Sequence, residues 1–376
     1  MTKLKLVLGA AVAALALSGG APAQAQDITI ATIGPMTGGD ATFGEQMKRG
    51  LEMAVKDLNA KGGVLGRKVK ALIEDDACDP KQARAAAEKV ASAKVAAVIG
   101  HYCSSASIPA SEVYADAKII QITPASTNPR LTEDAAKKGW KHVFRTCGRD
   151  DQQGEVAGKF LATKFKGKKV AVLHDKTTYG QGIADETKKA MEKAGLKAAA
   201  YEAFTKGDKD FTALITKLKA GKMDAVYVGS YHTEVALLVR QGAEQGFKPQ
   251  WVSEDALATD EFWKIAGPAA TGLLMTFPPD PRGLAGAKAV VDRFKAEKYD
   301  PEGYTLYTYA AVQVWSQAVE KAKSTEMAKV AAAIRANSFN TVVGPISYNA
   351  KGDIKQSAYV WYVWKDGKYT EVKAGS

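Results

Sequence analysis

The chain has 376 residues, 46% of them hydrophobic and 25% charged, with a formal net charge of +11 at neutral pH. It is too long for one ordinary core and too apolar for a disordered polymer, so two folded domains are expected. The lysines are scattered, as in Lys164, Lys166, Lys168 and Lys169 or Lys217, Lys219 and Lys222. That spread reads as solvated surface and argues against nucleic acid as a partner.

The chain opens with Lys3 and Lys5, an apolar stretch from Leu6 to Leu17, and Ala23-Gln24-Ala25. A basic start, an apolar segment too short to cross a bilayer and an A-x-A site are the parts of a cleaved secretory signal, assigned to residues 1–25. No cysteine lies near the cut, so no lipid anchor is expected. Nothing later is long and apolar enough to span a membrane, so the mature chain is expected in a bacterial periplasm, with its net charge lowered from +11 to +9. In an oxidising compartment two of Cys78, Cys103 and Cys147 should pair. Cys78 follows the strand-like VKALIEDD and Cys103 follows VAAVIG, which puts both on one rim of one sheet. Closing that loop of about 25 residues is worth roughly 3–4 kcal/mol in the chain-entropy view. Cys147, after HVFR, is left as a buried small hydrophobe.

From Gln26 onwards, short apolar runs alternate with amphipathic stretches. ITIATIG precedes a predicted helix over 43–59, VKALIEDD one over 80–92 and VAAVIG one over 105–116, while IIQIT ends at Thr123-Pro124. KKVAVLHD restarts the cycle. AAAYEAF, DAVYVGS and QWVSE follow as strands, with helices near 182–194, 211–220 and 233–245. This alternation predicts an α/β protein of two doubly wound, Rossmann-like lobes, the second series of βα units repeating the first in structure. After GLLMTF come two or three helices across 285–336, then the strands TVVGPISYN and AYVWYVWKDGKYT, the latter turning at Asp366-Gly367 as a hairpin. Such an added tail is expected to return to the first lobe, so that several crossings join the lobes as a hinge.

Ligands of doubly wound sheets lie at the carboxyl ends of the strands. In the first half these ends carry Gly34 to Gly38, Asp75-Asp76, Cys103-Ser104-Ser105 and the run Thr123-Pro124-Ala125-Ser126-Thr127. In the second they carry His174-Asp175 with Tyr179, Gly229-Ser230-Tyr231-His232 and Ser253-Glu254-Asp255. The apolar run Val95 to Ile99 stops at Gly100, and hydroxyl residues then open a helix, leaving backbone N–H groups for an anion such as a carboxylate. Hydroxyls and free amides suit a carboxylate, and Glu254 or Asp255 suits an ammonium group, so the two sets together suit a zwitterion. Ser104 and Ser105 read equally as a helix cap, and Glu254-Asp255 as the cap of a helix beginning near Ala258. His174-Asp175 invites a catalytic dyad, but neighbours on a strand point to opposite faces and no G-x-S-x-G motif accompanies them. Gly180-Gln181-Gly182 lacks the third glycine of a dinucleotide turn. His101, His142, His174 and His232 are dispersed, so neither metal nor cofactor is expected.

The segments DDACDPKQA, GHYCSSASIPAS, ITPASTNP, HDKTTYGQG and GSYHTE resemble, in order and spacing, those of the periplasmic branched-chain amino-acid-binding proteins that serve ABC importers. The resemblance covers essentially the whole mature chain. It implies a type I periplasmic binding protein, with two lobes joined by three hinge crossings that close on one amino acid without catalysis. The implied N-terminal lobe is 26–146 plus 277–352, and the C-terminal lobe 147–276 plus 353–376. Ser104 would bind the ligand carboxylate with help from Thr127. The Ala125 carbonyl and Thr127 hydroxyl, in the loop that also holds Ser126, would accept from the ammonium along with Glu254. Tyr231 would reach the same region, Tyr179 would line the closed cleft, and Tyr304 would touch the ligand's side chain. Cys78 and Cys103 fall on the family's disulfide. Phe43 stands where well-known members have tyrosine, which leaves the side-chain preference open, and Cys147 stands where they have threonine. The implied partners are an aliphatic L-amino acid and an inner-membrane permease, with the protein a monomer. An aromatic acid, an amide or a polar amino acid is the alternative ligand, and a sensory module is disfavoured because no signalling segment is seen after Ser376.

Overall fold

A computed structural model describes residues 26–372; the signal segment 1–25 lies outside them. The first series runs β1 (Ile28–Gly34), α1 (Ala41–Ala60), β2 (Val69–Asp75), α2 (Pro80–Ser92), β3 (Ala97–Gly100), α3 (Ser104–Ala117), β4 (Ile120–Thr123), α4 (Arg130–Lys137) and β5 (Val143–Arg145). Its strands form one parallel sheet in the order β2-β1-β3-β4-β5. β3 and β4 are buried along their whole length, as strands covered by helices on both faces must be. Local chemistry sets the helix starts. Asp79 accepts from the amides of Lys81 and Gln82, and Pro80 occupies the first turn of α2.

The second series runs α5 (Asp150–Lys164), β6 (Val170–His174), α6 (Thr178–Lys193), β7 (Ala200–Ala203), α7 (Thr212–Ala220), β8 (Ala225–Gly229), α8 (His232–Glu244), β9 (Gln250–Ser253), α9 (Asp260–Ala266) and β10 (Leu274–Phe277). Its parallel strands take the order β7-β6-β8-β9-β10, the same winding as the first sheet. Then α10 (Lys288–Ala296), α11 (Thr305–Ala322), α12 (Met327–Ala336) and the small hairpin β11 (Ser338–Thr341) with β12 (Gly344–Ser347) join the core of the first sheet. The hairpin β13 (Val360–Lys365) and β14 (Lys368–Glu371) ends the chain antiparallel on β10 of the second sheet. The chain therefore passes between its two lobes three times.

The hairpin at Asp366-Gly367 forms as the sequence predicts, with Lys365 paired to Lys368. Three local expectations change. TVVGPISYN does not form one strand: it turns at Val342-Val343 into the β11–β12 hairpin. The helix expected near Ala258 begins at Asp260 and is capped by Thr259, while Glu254 caps a separate 3-10 turn over Asp255–Leu257. Helix α5 has no counterpart in the sequence reading. Its Gly154 and Gly158 look like breakers but serve contact, because a Cβ at Gly158 would lie 2.6 Å from the Ala190 Cβ of α6.

Candidate functional site

The two sheets turn the ends of β3, β4, β6, β8 and β9 toward one another, at the switch points where doubly wound sheets hold ligands. A small, nearly filled pocket lies there, lined by Tyr102, Ser104, Ala125, Tyr179, Tyr231, Ala256 and Tyr304. The larger groove between α5 and α6 is lined by charged side chains such as Glu155, Lys159, Glu186 and Lys189, none of them buried.

The first lobe supplies an anion-binding face. Cys103 caps α3 without a side-chain hydrogen bond and is joined to Cys78 across 25 residues, with a Cα–Cα distance of 5.5 Å. Beneath this turn His101 bridges Asp76 (2.6 Å) and Tyr114 (2.7 Å), all fully buried. The Ser104 hydroxyl accepts from the Asn128 amide at 3.3 Å, which ties α3 to the loop after β4. That loop is held from below by Arg145, whose guanidinium donates to the carbonyls of Ser126 (2.7 Å) and Asn128 (3.2 Å) and lies 2.9 Å from Asp353. Burial works against ionisation of Asp353, but Arg145 and Arg149 outweigh it and hold the carboxyl below its usual range.

The second lobe supplies acids and phenols. Glu254 and Asp255 are buried side by side, and the Tyr179 hydroxyl contacts both, at 2.5 Å in the case of Asp255. The amides of Ala256 (2.7 Å) and Ser230 (3.2 Å) also donate to Glu254. Tyr304, at the start of α11 in the first lobe, donates across the cleft to Asp255 at 2.6 Å. Burial raises both carboxyls above the usual range, and for Glu254 the adjacent Asp255 adds to the rise. Asp150, fully buried at the start of α5, is raised by the same cause. The nearby Thr127 hydroxyl opposes that rise without reaching hydrogen-bond geometry, so Thr127 Oγ1 and both Asp150 oxygens stay unpartnered. Tyr231 Oη is buried and unpartnered as well. Unmet buried polar atoms are rare in folded proteins and call for a partner.

Ser104, Ala125, Tyr179, Tyr231 and Tyr304 are brought together on the cavity wall, with Glu254 and Thr127 buried close by. Two candidates sit elsewhere. Phe43 is a layer back, stacked on Tyr102 at 4.4 Å, and Ser126 turns its hydroxyl onto the Tyr102 carbonyl (2.8 Å) and Ser107 (2.6 Å). The sequence reading left out Tyr102 and Asp150, and weighed Asp255 without choosing it. His174 and Asp175 part company: Asp175 meets Thr177 and Ser230, while His174 lies tilted against the Tyr201 ring. Cys147 is a buried free thiol whose pKa burial pushes up, so it stays protonated and inert. Asp40, Cys78 and Cys103 place ligand atoms within 4.8 Å of one another, but the two sulfurs are spent on their own bond.

Several contacts cross the cleft. Asn128 donates to the Thr178 carbonyl at 2.8 Å, Thr42 meets Thr259 at 3.1 Å, and Lys206 pairs with buried Asp40 while lying 4.1 Å over the Tyr231 ring. The lobes are thus closed on each other around the cavity.

Two α/β lobes of one winding, three crossings and a polar cavity at the facing strand ends define a bilobal ligand-binding protein. The sequence profile described as "Periplasmic binding protein" matches residues 27–368, and the chain belongs to that family. It is 48% identical over 350 residues to an amino acid binding protein of Pseudomonas aeruginosa, covering 92% of each chain. To a Leu/Ile/Val-binding protein homolog 1 of Brucella suis it is 46% identical over 372 residues, covering 98% of this chain and 99% of that one. Among solved structures it is similar to the leucine binding protein LivK of Thermotoga maritima (TM-score 0.84, 29% identity, covering 92% and 98%). It is similar also to the branched-chain amino acid binding protein LivJ of Streptococcus pneumoniae in complex with isoleucine (TM-score 0.82, 26% identity, covering 93% and 100%).

Proposed function

We propose that this protein captures branched-chain and other aliphatic L-amino acids between its lobes in the periplasm and delivers them to an inner-membrane ABC permease, with residues 1–25 removed on export. The observation that carries this reading is the cavity's polarity: an uncapped helix start and hydroxyls on one wall face buried carboxylates on the other. A zwitterion loses hydration at both ends on burial, so each end needs several fixed partners. In this assignment Ser104 and the first amides of α3 take the carboxylate with Thr127. Glu254, the Ala125 carbonyl and the Thr127 hydroxyl take the ammonium, while Tyr179, Tyr231 and Tyr304 close over the ligand. The names of the relatives support the aliphatic class. Its part is capture, not catalysis: a ligand that touches both lobes favours the closed state by its differential affinity.

A thermal-shift screen of the twenty amino acids and several aromatic acids tests this. Leucine, isoleucine and valine are expected to raise the melting temperature by mass action. They should be poorly separated from one another, since one methylene is worth only about 1–3 kcal/mol. A shift with aromatic acids and none with aliphatic amino acids would overturn the ligand class.

A further inference from the structure

The cleft buries more negative charge than one ammonium group requires. Glu254, Asp255 and Asp150 are all buried, and among the described residues no free cation stands near them: Lys206 is committed to Asp40, and Arg145 to Asp353 and two carbonyls. The Tyr179 hydroxyl sits between the adjacent pair, in contact with Glu254 Oε2 and 2.5 Å from Asp255 Oδ1. A phenol has one hydrogen, so it fills one of these two contacts. The other needs a hydrogen from a carboxyl group. Neighbouring donors do not supply it, because the Tyr304 hydroxyl is directed at Asp255 Oδ2 and the Ser230 amide at Glu254 Oε1. The Ala256 amide already occupies a second lone pair of Glu254 Oε2.

The other titratable groups around the pair do not favour a second negative charge. Asp150 faces it from α5, Tyr227 from β8, Tyr231 from the start of α8, Tyr102 from the end of β3, Cys147 from the first crossing, Tyr307 from α11 and Tyr359 from the segment before β13. All are acids or neutral groups. The unpartnered Tyr231 hydroxyl on the same cavity wall marks this as a place built for a ligand rather than a cluster of surface acids.

We propose that Asp255 is a second carboxylate for the ligand's amino group, and that the Glu254–Asp255 pair holds one shared proton in the ligand-free protein and gives it up when the ammonium enters. The carboxyl O–H bond breaks, its proton passes to solvent, and N–H donors of the ammonium take its place between the oxygens. This inference rests on the amino-acid reading above. Its sign follows from competition: below the pair's own titration range the ligand must displace a proton, so affinity falls as pH falls.

Calorimetry with L-leucine, in pairs of buffers that differ in ionisation enthalpy and from about pH 5 to about pH 8, counts the proton directly. The wild-type heat is expected to depend on the buffer, with up to one proton released per leucine, and Kd to rise up to about tenfold per pH unit where release is complete. In Asp255→Asn, leucine is expected to bind several-fold more weakly and to release clearly less proton than the wild type. Buffer-independent wild-type heats across the whole range would overturn the proposal, even if the variant fails to fold. Equal proton release by wild type and Asp255→Asn would remove Asp255 from the pair. Failure of every amino acid to give heat or a thermal shift would instead bring down the functional reading, and this inference with it.

Discussion

Among the described residues Glu254 meets three hydrogen-bond donors and no cation, so its charge is left for the proposed ammonium group to balance. Glu254→Ala is expected to weaken leucine binding at least tenfold, about 1.4 kcal/mol, through loss of a charge-assisted partner. Unchanged affinity by calorimetry would refute the assignment. At this scale position at strand ends brings Ser104, Tyr179 and Tyr231 to the cavity wall, with Thr127 and Glu254 buried close by. Tyr102 was not legible, because one aromatic residue beside a disulfide cysteine has no periodicity to mark it. Ser126 is hard to place from the sequence for the opposite reason. In the sequence it looks like its neighbour Thr127, and only the fold turns one hydroxyl onto Tyr102 and leaves the other without a partner.

Among the elements, α5 shows what a sequence pattern conceals. A glycine pair spaced by four reads as a break, yet here it lets α5 lie directly on α6, where Gly154 and Gly158 face Thr187, Ala190 and Met191. Gly158→Val is expected to lower unfolding free energy by about 1–3 kcal/mol through overpacking, measured by urea denaturation. A neutral result would mean that the helices can separate at little cost. The first two βα units and the last hairpin were legible because their strands are apolar runs with clean ends. The short α4 was missed because eight residues make barely two turns, and β11–β12 because its turn lacks the usual Asn-Gly or Asp-Gly signal.

Across the molecule, charge burial sets the pH response. His142 is buried between α3 and β5 with Nε2 on the Ser111 carbonyl (2.9 Å), and burial pushes its pKa down to about 4. Its folded value is depressed, so the stability it permits is fully present above about 6.5 and is lost as pH falls toward the folded value, by about 3 kcal/mol at most. The acids of the cleft act in the other sense. Their raised values give stability below about pH 4 that is lost as pH rises through the folded values. Melting temperature measured against pH is expected to fall on the acid side in the wild type and to fall less steeply in His142→Gln. Identical curves would mean that another group governs acid unfolding.

The triple passage between lobes also dictates the order in which the protein can be finished. Helix α1 lies so close to α11 that a Cβ at Gly50 would strike the Thr305 carbonyl at 2.4 Å, and Trp315, Phe339 and Ile346 complete the same core. The first lobe therefore waits for residues made some 250 positions after its opening helix. The second lobe waits still longer, for the hairpin that ends on β10. Neither half is a self-sufficient early folder, and contacts of such long separation form slowly. A nascent chain of this design completes neither core before that hairpin is made, which agrees with the export proposed above.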